Sequence, residues 1–446
     1  MRQRNYTNED VLRLVSEKDV KFIKLWFVDI LGQVKSFSIT PDELEGALED
    51  GMGFDGSSIE GFARIYESDL IGKPDPSTFT ILPWRPKETA VVARMFCDIL
   101  TPDGKPYIGD PRYILRKNLK KMEEAGYDCF NVGPELEYFY FKNDRNPEIM
   151  DEGGYFDLMP LDLGHDLRRD TILALQEMGI PVEYSHHEVA PSQHEIDLRY
   201  GPALEMADDV ITYKVAVKSI AMQSGAYASF MPKPLYEQNG SGMHVHMSLF
   251  NKGKNVFYNG EDKYHLSDDA KHFTAGVMKH SREICAISNQ WVNSYKRLVP
   301  GYEAPVYLVW GQKNRSALIR VPMYKPGQEK ATRIELRFPD PACNPYLAFS
   351  VMLAAGLEGI ENKYTLEEPT EIDVFHLTDE EKKERGIKLL PGSLIEAIQA
   401  TENSTMLRSA LGEHVFNKFV ENKKIEWDKY RKQVTNYELN TYLPIL

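Results

Sequence analysis

Five short segments restrict the fold of this chain more than any other feature, because each alternates apolar side chains with groups that are costly to bury. In Val132 to Tyr140, Glu135 and Glu137 stand two residues apart and so project from one side of a strand. In Met243 to Phe250, His244, His246 and Ser248 share a face opposite Val245, Met247 and Leu249; in Arg333 to Phe338, Arg333, Glu335 and Arg337 oppose Ile334, Leu336 and Phe338. The fourth and fifth segments are Val182 to Val189, with Glu188, and His194 to Leu198, with Glu195. On one continuous strand those two glutamates would point oppositely, so a turn at Pro191-Ser192 is required to bring both inward. A solvated outer face would explain any one of these strands. Five together call for a shared cavity, with the apolar faces packed on helices.

Clustered carboxylates repel one another unless cations neutralise them. The donor set is mainly hard oxygen with one or two imidazoles, which suits Mg²⁺ or Mn²⁺ better than Zn²⁺ or copper. Arg297, Arg315, Arg320, Arg333 and Arg337 follow within a short stretch, in contexts such as NRSALIR. Guanidinium forks match carboxylate and phosphoryl oxygens. Carboxylates, divalent cations and arginines in one place suit phosphoryl transfer.

The chain has 446 residues, 42% hydrophobic, enough for two or three domains and a sizeable core. Its net charge of -14 argues against nucleic acid or an anionic membrane as partner. Tyr346 to Leu357, the longest apolar run, is too short to span a bilayer and reads as a buried helix. The N-terminal residues lack a signal-peptide core, and four cysteines without paired spacing indicate neither disulfides nor a thiolate metal site; a reducing cytoplasm is the expected location. After a first helix, two strand-like runs from Lys21 to Ile39 break at Leu31-Gly32-Gln33, a hairpin. Thr40-Pro41-Asp42-Glu43 should open a helix with a capping box, and Gly51 should close it. Gly51 to Asp69 is too glycine-rich for a packed element and reads as a functional loop. Ser77 to Trp84 and Thr89 to Ile99 read as strands, Thr101 to Arg112 as a domain boundary, and Asp110-Pro111 as the start of a long helix. Neither a GxxxxGK[ST] loop nor the GxGxxG strand-to-helix fingerprint is present, so a nucleotide must be held by another device.

The motifs FDGSS (Phe54 to Ser58), GPELE (Gly133 to Glu137), HHEVAPSQHE (His186 to Glu195), KPLYEQNGSGMHVHMS (Lys233 to Ser248), KRLVPGYEAP (Lys296 to Pro305), NRSALIR and RIELRFPDPACNPY (Arg333 to Tyr346) together resemble type I glutamine synthetase over nearly the whole chain. That resemblance implies an α+β protein: a small β-grasp-like domain over 1–104, then a catalytic domain over 105–446 with a curved antiparallel sheet flanked by helices. It implies a homododecamer of two stacked hexameric rings with active sites between subunits, and ligation of ammonia to glutamate through γ-glutamyl phosphate at the expense of ATP, with two or more Mg²⁺ or Mn²⁺ per subunit. By motif, Glu137, Glu188 and Glu195 match ligands of the metal near glutamate, and Glu135, His244 and Glu335 those of the metal near the ATP phosphates. Glu183, His246, Ser248, Arg320 and Arg333 match nucleotide-contacting positions; Asn239, Gly240, Arg297 and Arg337 match glutamate-holding positions. Arg315 matches the arginine that stabilises the transferring phosphoryl group, Asp55 the residue that binds and deprotonates ammonium, and Glu303 the gate that shields the acyl phosphate from water. A ligase for a larger amine on the same fold is the second reading, and an anionic ammonium site such as Asp55 argues against it.

Two stretches depart from the commoner pattern. Trp310-Gly311-Gln312-Lys313 precedes NRS, and Met323 to Lys330 is long, which leaves the adenine contacts open. Where many relatives carry a tyrosine that is adenylylated, this chain has Phe375, which implies the unadenylylated alpha subclass of archaea and bacteria. In that subclass Arg64 matches an arginine that relays glutamine feedback. Phe22, Lys24, Arg85, Arg169 and Ser185 match positions at which some archaeal relatives bind 2-oxoglutarate between subunits, with Lys24 in place of an arginine. A PII-type or other small regulatory protein is a further implied partner.

Overall fold

The computed structural model describes residues 5–62, 69–85, 90–301 and 304–446. In the N-terminal part, Val20–Val28 and Val34–Ile39 pair antiparallel as the expected hairpin. Gly32 in its turn has φ +82°, and a Cβ there would come within 2.9 Å of Asn344 Cα. Glycine therefore serves both the turn and the close approach of the hairpin to the C-terminal part. Val20–Val28 runs parallel to Val91–Leu100, which in turn pairs antiparallel with Asp69–Pro74, and Met52–Asp55 lies at the sheet edge. Apolar residues of the helices Asn8–Glu17 and Leu44–Asp50 share one core with this sheet.

Three local expectations are corrected here. Thr40 makes no side-chain cap; Pro41–Glu43 is a 3₁₀ turn and the helix proper starts at Leu44. Met52–Asp55 is a strand rather than part of a loop, because backbone pairing with Asp69–Pro74 compensates for its glycine. Only Thr80–Ile81 of the Ser77 to Trp84 run is extended, since Asp75 caps a 3₁₀ turn over Pro76–Thr78.

Asp110 caps the helix Pro111–Glu124 as expected. Beyond it, a large, mostly antiparallel curved sheet runs in the order Tyr307–Gly311, Ala317–Arg320, Ile334–Leu336, Met243–Asn251, Cys129–Phe141, Gln193–Leu198, Val182–His187. The five polar-faced segments are thus five consecutive neighbours. Their other faces, including Val245, Met247, Leu249, Ile334 and Leu336, are buried in the main core with the helices Ala203–Gln223, Asp268–Ser288 and Pro345–Glu361. The last of these is the expected buried helix. It crosses Asp268–Ser288 so closely that a Cβ on Gly276 would lie 2.2 Å from the Ala355 carbonyl oxygen. No described helix is long and apolar enough to cross a membrane, and the four cysteines are free.

Candidate active site

Strand register stacks the polar groups in rows. His244, Glu135 and Asp197 are cross-strand partners, as are Glu137, Glu195 and His186, and as are His246, Glu335 and Arg320. Glu188 lies just past the end of Val182–His187. The chain then reverses through Ser192, at φ +61°, so the turn inferred between Glu188 and Glu195 exists and both carboxylates reach one site.

One group of ligand atoms comes from His186, Glu188 and Glu195, all within 4.8 Å of one another. Glu137 adjoins it and accepts hydrogen bonds from Gln193 Nε2 at 2.8 Å and from the Gly242 N–H at 3.1 Å. Burial, then the charge of Glu188, pushes the Glu137 carboxyl up to about 8. Glu195 is raised by burial and by Asp197. Burial is the largest influence on Glu188 and opposes its ionisation, but the His186 donor at 2.7 Å, the hydrogen bond with Glu195 and the Val189 N–H together outweigh it and lower that group. Carboxylates that repel in this way are a ready seat for a hard divalent cation.

The second group contains Glu135, His246 and Glu335, again within 4.8 Å. His244 Nδ1 lies 3.4 Å from Glu135 Oε2 and 3.7 Å from Glu335 Oε1. The two imidazoles are not equivalent. Arg333 Nε donates to His246 Nδ1 at 3.0 Å; a guanidinium cannot accept, so Nε2 of a neutral His246 carries the proton and donates to Glu135 Oε1 at 2.7 Å. His246 therefore orients Glu135, which leaves His244 as the imidazole of this pair with geometry suited to a cation. Burial works against ionisation of Glu135 and Glu335, yet His246 and His244, joined at Glu335 by Arg320, hold both carboxyls down.

Two cavities meet at these clusters. The larger, about 760 Å³, is lined by Glu183, His246, Ser248 and Arg333 and walled by Gln312, Lys313, Met323, Tyr324 and Lys330. Both departing stretches thus face it, although Trp310 itself is buried with Nε1 donating to the Glu367 carbonyl at 2.7 Å. The smaller, about 470 Å³, is lined by Glu137, Glu188, Glu195, His244, Glu335, Asn239, Gly240, Arg297 and Arg337. Glu135, Arg315 and Arg320 line both. Buried Arg297 is fixed by donation to the Phe338 carbonyl at 2.7 Å. Gly240 leaves it room, since a Cβ there would come within 3.0 Å of Arg297 Cγ.

Other expected positions lie elsewhere. Asp55 is exposed on the N-terminal edge strand and caps the turn at Ser57; it lines neither cavity. Glu303 and Arg64 fall outside the described residues. Phe22 and Lys24 are on the N-terminal sheet and Ser185 on the catalytic one, while Arg85 is exposed. Exposed Arg169 pairs with Asp166 at 2.7 Å and Asp170 at 2.9 Å on its own helix. Half-buried Phe375 packs on Tyr307, ring centroids 5.6 Å apart, and lines the smaller cavity. His186 and Asp197 were missed in the sequence, although the period of two that selected Glu188 and Glu195 also selects them.

Comparison with known proteins decides the family. Residues 19–102 match the glutamine synthetase beta-Grasp domain and 108–442 the glutamine synthetase catalytic domain. The chain is 56% identical over 444 residues to a glutamine synthetase of Methanosarcina mazei, covering 99% of this chain and 98% of that one. The chain belongs to the glutamine synthetase family. Solved structures similar to it include a GmaS/ADP complex, at TM-score 0.88 and 30% identity, covering 98% of this chain and 99% of that one. A Plasmodium falciparum glutamine synthetase matches at TM-score 0.87 and 27% identity with the same coverage. The fold is therefore that of a glutamine synthetase, a β-grasp domain followed by a catalytic domain, and the family's use of ATP and a divalent metal has a counterpart in the two acid–imidazole clusters.

Proposed function

We propose that this chain ligates ammonia to the γ-carboxylate of L-glutamate by way of γ-glutamyl phosphate, giving glutamine, ADP and phosphate. The observation that carries the reading is the meeting of the two cavities at Glu135, Arg315 and Arg320: the larger takes ATP, with Glu183, His246, Ser248, Arg320 and Arg333 toward the nucleotide, and the smaller takes glutamate at Asn239, Gly240, Arg297 and Arg337. The donor sets fit Mg²⁺ or Mn²⁺, one held by Glu137, Glu188 and Glu195 and one by Glu135, His244 and Glu335. When bound, such cations neutralise the phosphate oxygens and the substrate carboxylate.

In the first step a γ-carboxylate oxygen of glutamate bonds to the terminal phosphorus of ATP and the bond to the ADP oxygen breaks. Arg315, at the junction, balances charge on the transferring phosphoryl group. Ammonia then attacks the acyl carbon and phosphate leaves. Asp55 of a neighbouring subunit takes the ammonium proton beforehand, and Glu303 shields the acyl phosphate from water.

The exposed position of Asp55 supports a shared site; the dodecamer of two hexameric rings, the cytoplasmic location and the units spanning 1–104 and 105–446 are proposed from the sequence resemblance. Phe375 supports the unadenylylated subclass. Feedback through Arg64, a 2-oxoglutarate pocket and a PII-type partner remain proposals from sequence.

Phosphate release with glutamate, ATP and either ammonia or putrescine tests the reaction. Ammonia should support turnover with glutamine appearing in step with phosphate; preference for putrescine would refute the reading. In Glu303→Ala, ATP hydrolysis should outrun glutamine formation.

A further inference from the structure

The reverse turn that carries Glu188 is held from behind by a group outside the cavities. Buried Asp151 reaches both ends of that turn: its Oδ1 accepts from the Ser192 N–H at 2.9 Å and faces His187 Nε2 at 3.0 Å. The other nitrogen of His187, Nδ1, lies 2.7 Å from the Glu188 carbonyl oxygen. Carbonyl and carboxylate oxygens only accept, so both imidazole nitrogens donate. His187 is fully buried, which leaves its ring no solvent to turn toward. Ser192 is bound a second time, its Oγ accepting from the Met150 N–H at 2.6 Å. Asp151 Oδ2 is itself fixed by the Leu163 N–H at 2.9 Å.

Asp151, Asp162, His187 and His194 also offer atoms within 4.8 Å of one another, the spacing of a metal site. They already enclose a cation. Arg168 donates to both oxygens of Asp162, at 3.0 and 2.7 Å, and to His194 Nδ1 at 2.7 Å. Nδ1 is thus the acceptor, Nε2 of neutral His194 carries the proton, and that ring has no lone pair aimed inward for a metal.

We propose that Asp151, acting through His187 and Ser192, is a positioning residue that sets Glu188 for the cation of the glutamate-side site. The inference rests on the reading of Glu188 as a ligand of that cation. Groups behind metal ligands act in this way by removing alternative orientations of the ligand, and their loss typically weakens metal binding ten- to a hundredfold.

The test titrates Mn²⁺ against the full-length protein by electron paramagnetic resonance, with steady-state kinetics and thermal unfolding on the same samples. Asp151→Ala should raise the Mn²⁺ concentration for half-saturation by roughly ten- to a hundredfold, with a smaller rise in Asp151→Asn, which keeps one acceptor oxygen. KM for ATP should hardly move. Arg168→Lys, on the far side of the same cluster, should lower the unfolding temperature without changing Mn²⁺ binding. If Asp151→Ala binds Mn²⁺ like the parent and only unfolds earlier, the network is structural and the proposal is overturned. Should Asp151→Ala not fold, His187→Gln, which loses one of the two donors, answers the same question by the same readout. Glu188→Gln runs alongside: if it too binds Mn²⁺ like the parent, the ligand reading fails and takes the inference with it. Weakened Mn²⁺ binding in Glu188→Gln but in neither the Asp151 nor the His187 variant leaves the ligand reading standing and overturns this inference alone.

Discussion

At the scale of single residues, His244 and His246 show how two identical side chains on one strand face acquire different work. Their distances to Glu135 alone would favour His246 as ligand, 2.7 against 3.4 Å. The Arg333 donor on His246 Nδ1 reverses that order, because it places the proton on the nitrogen nearest the carboxylate. With Mn²⁺ bound, the ¹⁴N coupling of a directly ligated imidazole in pulsed electron paramagnetic resonance should disappear in His244→Ala and persist in His246→Ala. His246→Ala should instead raise KM for ATP, since it frees both Glu135 and Arg333 at the larger cavity, the one proposed for the nucleotide. Loss of the coupling in His246→Ala alone would reverse the assignment. The sequence reading separated the two histidines only through resemblance; alternation places both on one face and cannot see an arginine that is distant in sequence.

Elements were legible where side-chain period and local capping agree. The polar-faced strands, the Leu31-Gly32-Gln33 hairpin and the buried helix Pro345–Glu361 all carry their own pattern. Met52–Asp55 and Asp69–Pro74 do not, because each contains glycine and is defined by pairing with the other across a segment far from both in pattern. Thr40 makes no side-chain cap because the Glu43 N–H, which its hydroxyl would take, is bonded to the Thr40 carbonyl at 3.2 Å. Asp110 succeeded, and its burial has a consequence for stability. Its Oδ1 accepts from the Arg112 N–H at 2.9 Å and its Oδ2 from the Ile99 N–H at 3.2 Å. Burial, then the charge of Asp98, pushes its carboxyl up to about 7, above the roughly 4 of an unfolded aspartate. The folded state therefore holds the extra proton between those values. The stabilisation from this group is complete below about 4 and is lost as pH rises through about 7. The stability advantage of the parent over Asp110→Asn should accordingly be larger at pH 5 than at pH 8 in apparent unfolding temperature. Equal differences at the two pH values would contradict the shift. Asp110→Ala, which leaves two buried N–H groups without acceptors, should cost about 2 to 3 kcal/mol.

For the whole molecule, the decisive fact is that one chain holds both cavities and both acid clusters, yet its Asp55 stands exposed on the edge strand of the N-terminal sheet. A site completed by a neighbour predicts an assembly and a specific kind of complementation. In solution the enzyme should run as a species twelve times the 51.1 kDa chain. Asp55→Ala damages only the N-terminal contribution to a site and Glu335→Ala only the catalytic one, so homo-oligomers of either variant should be inactive. When the two are dissociated, mixed in equal amounts and reassembled, a site that draws its sheet edge from a Glu335→Ala subunit and its catalytic cavity from an Asp55→Ala subunit is intact. Random closed-ring assembly gives such sites about one time in four. Recovery of about a quarter of parental activity on reassembly, and none on mixing without dissociation, is the expected result. If reassembled oligomers of the right mass stay inactive, Asp55 serves the cavity of its own chain or none, and the shared site is wrong even though the fold and the acid–imidazole clusters stand.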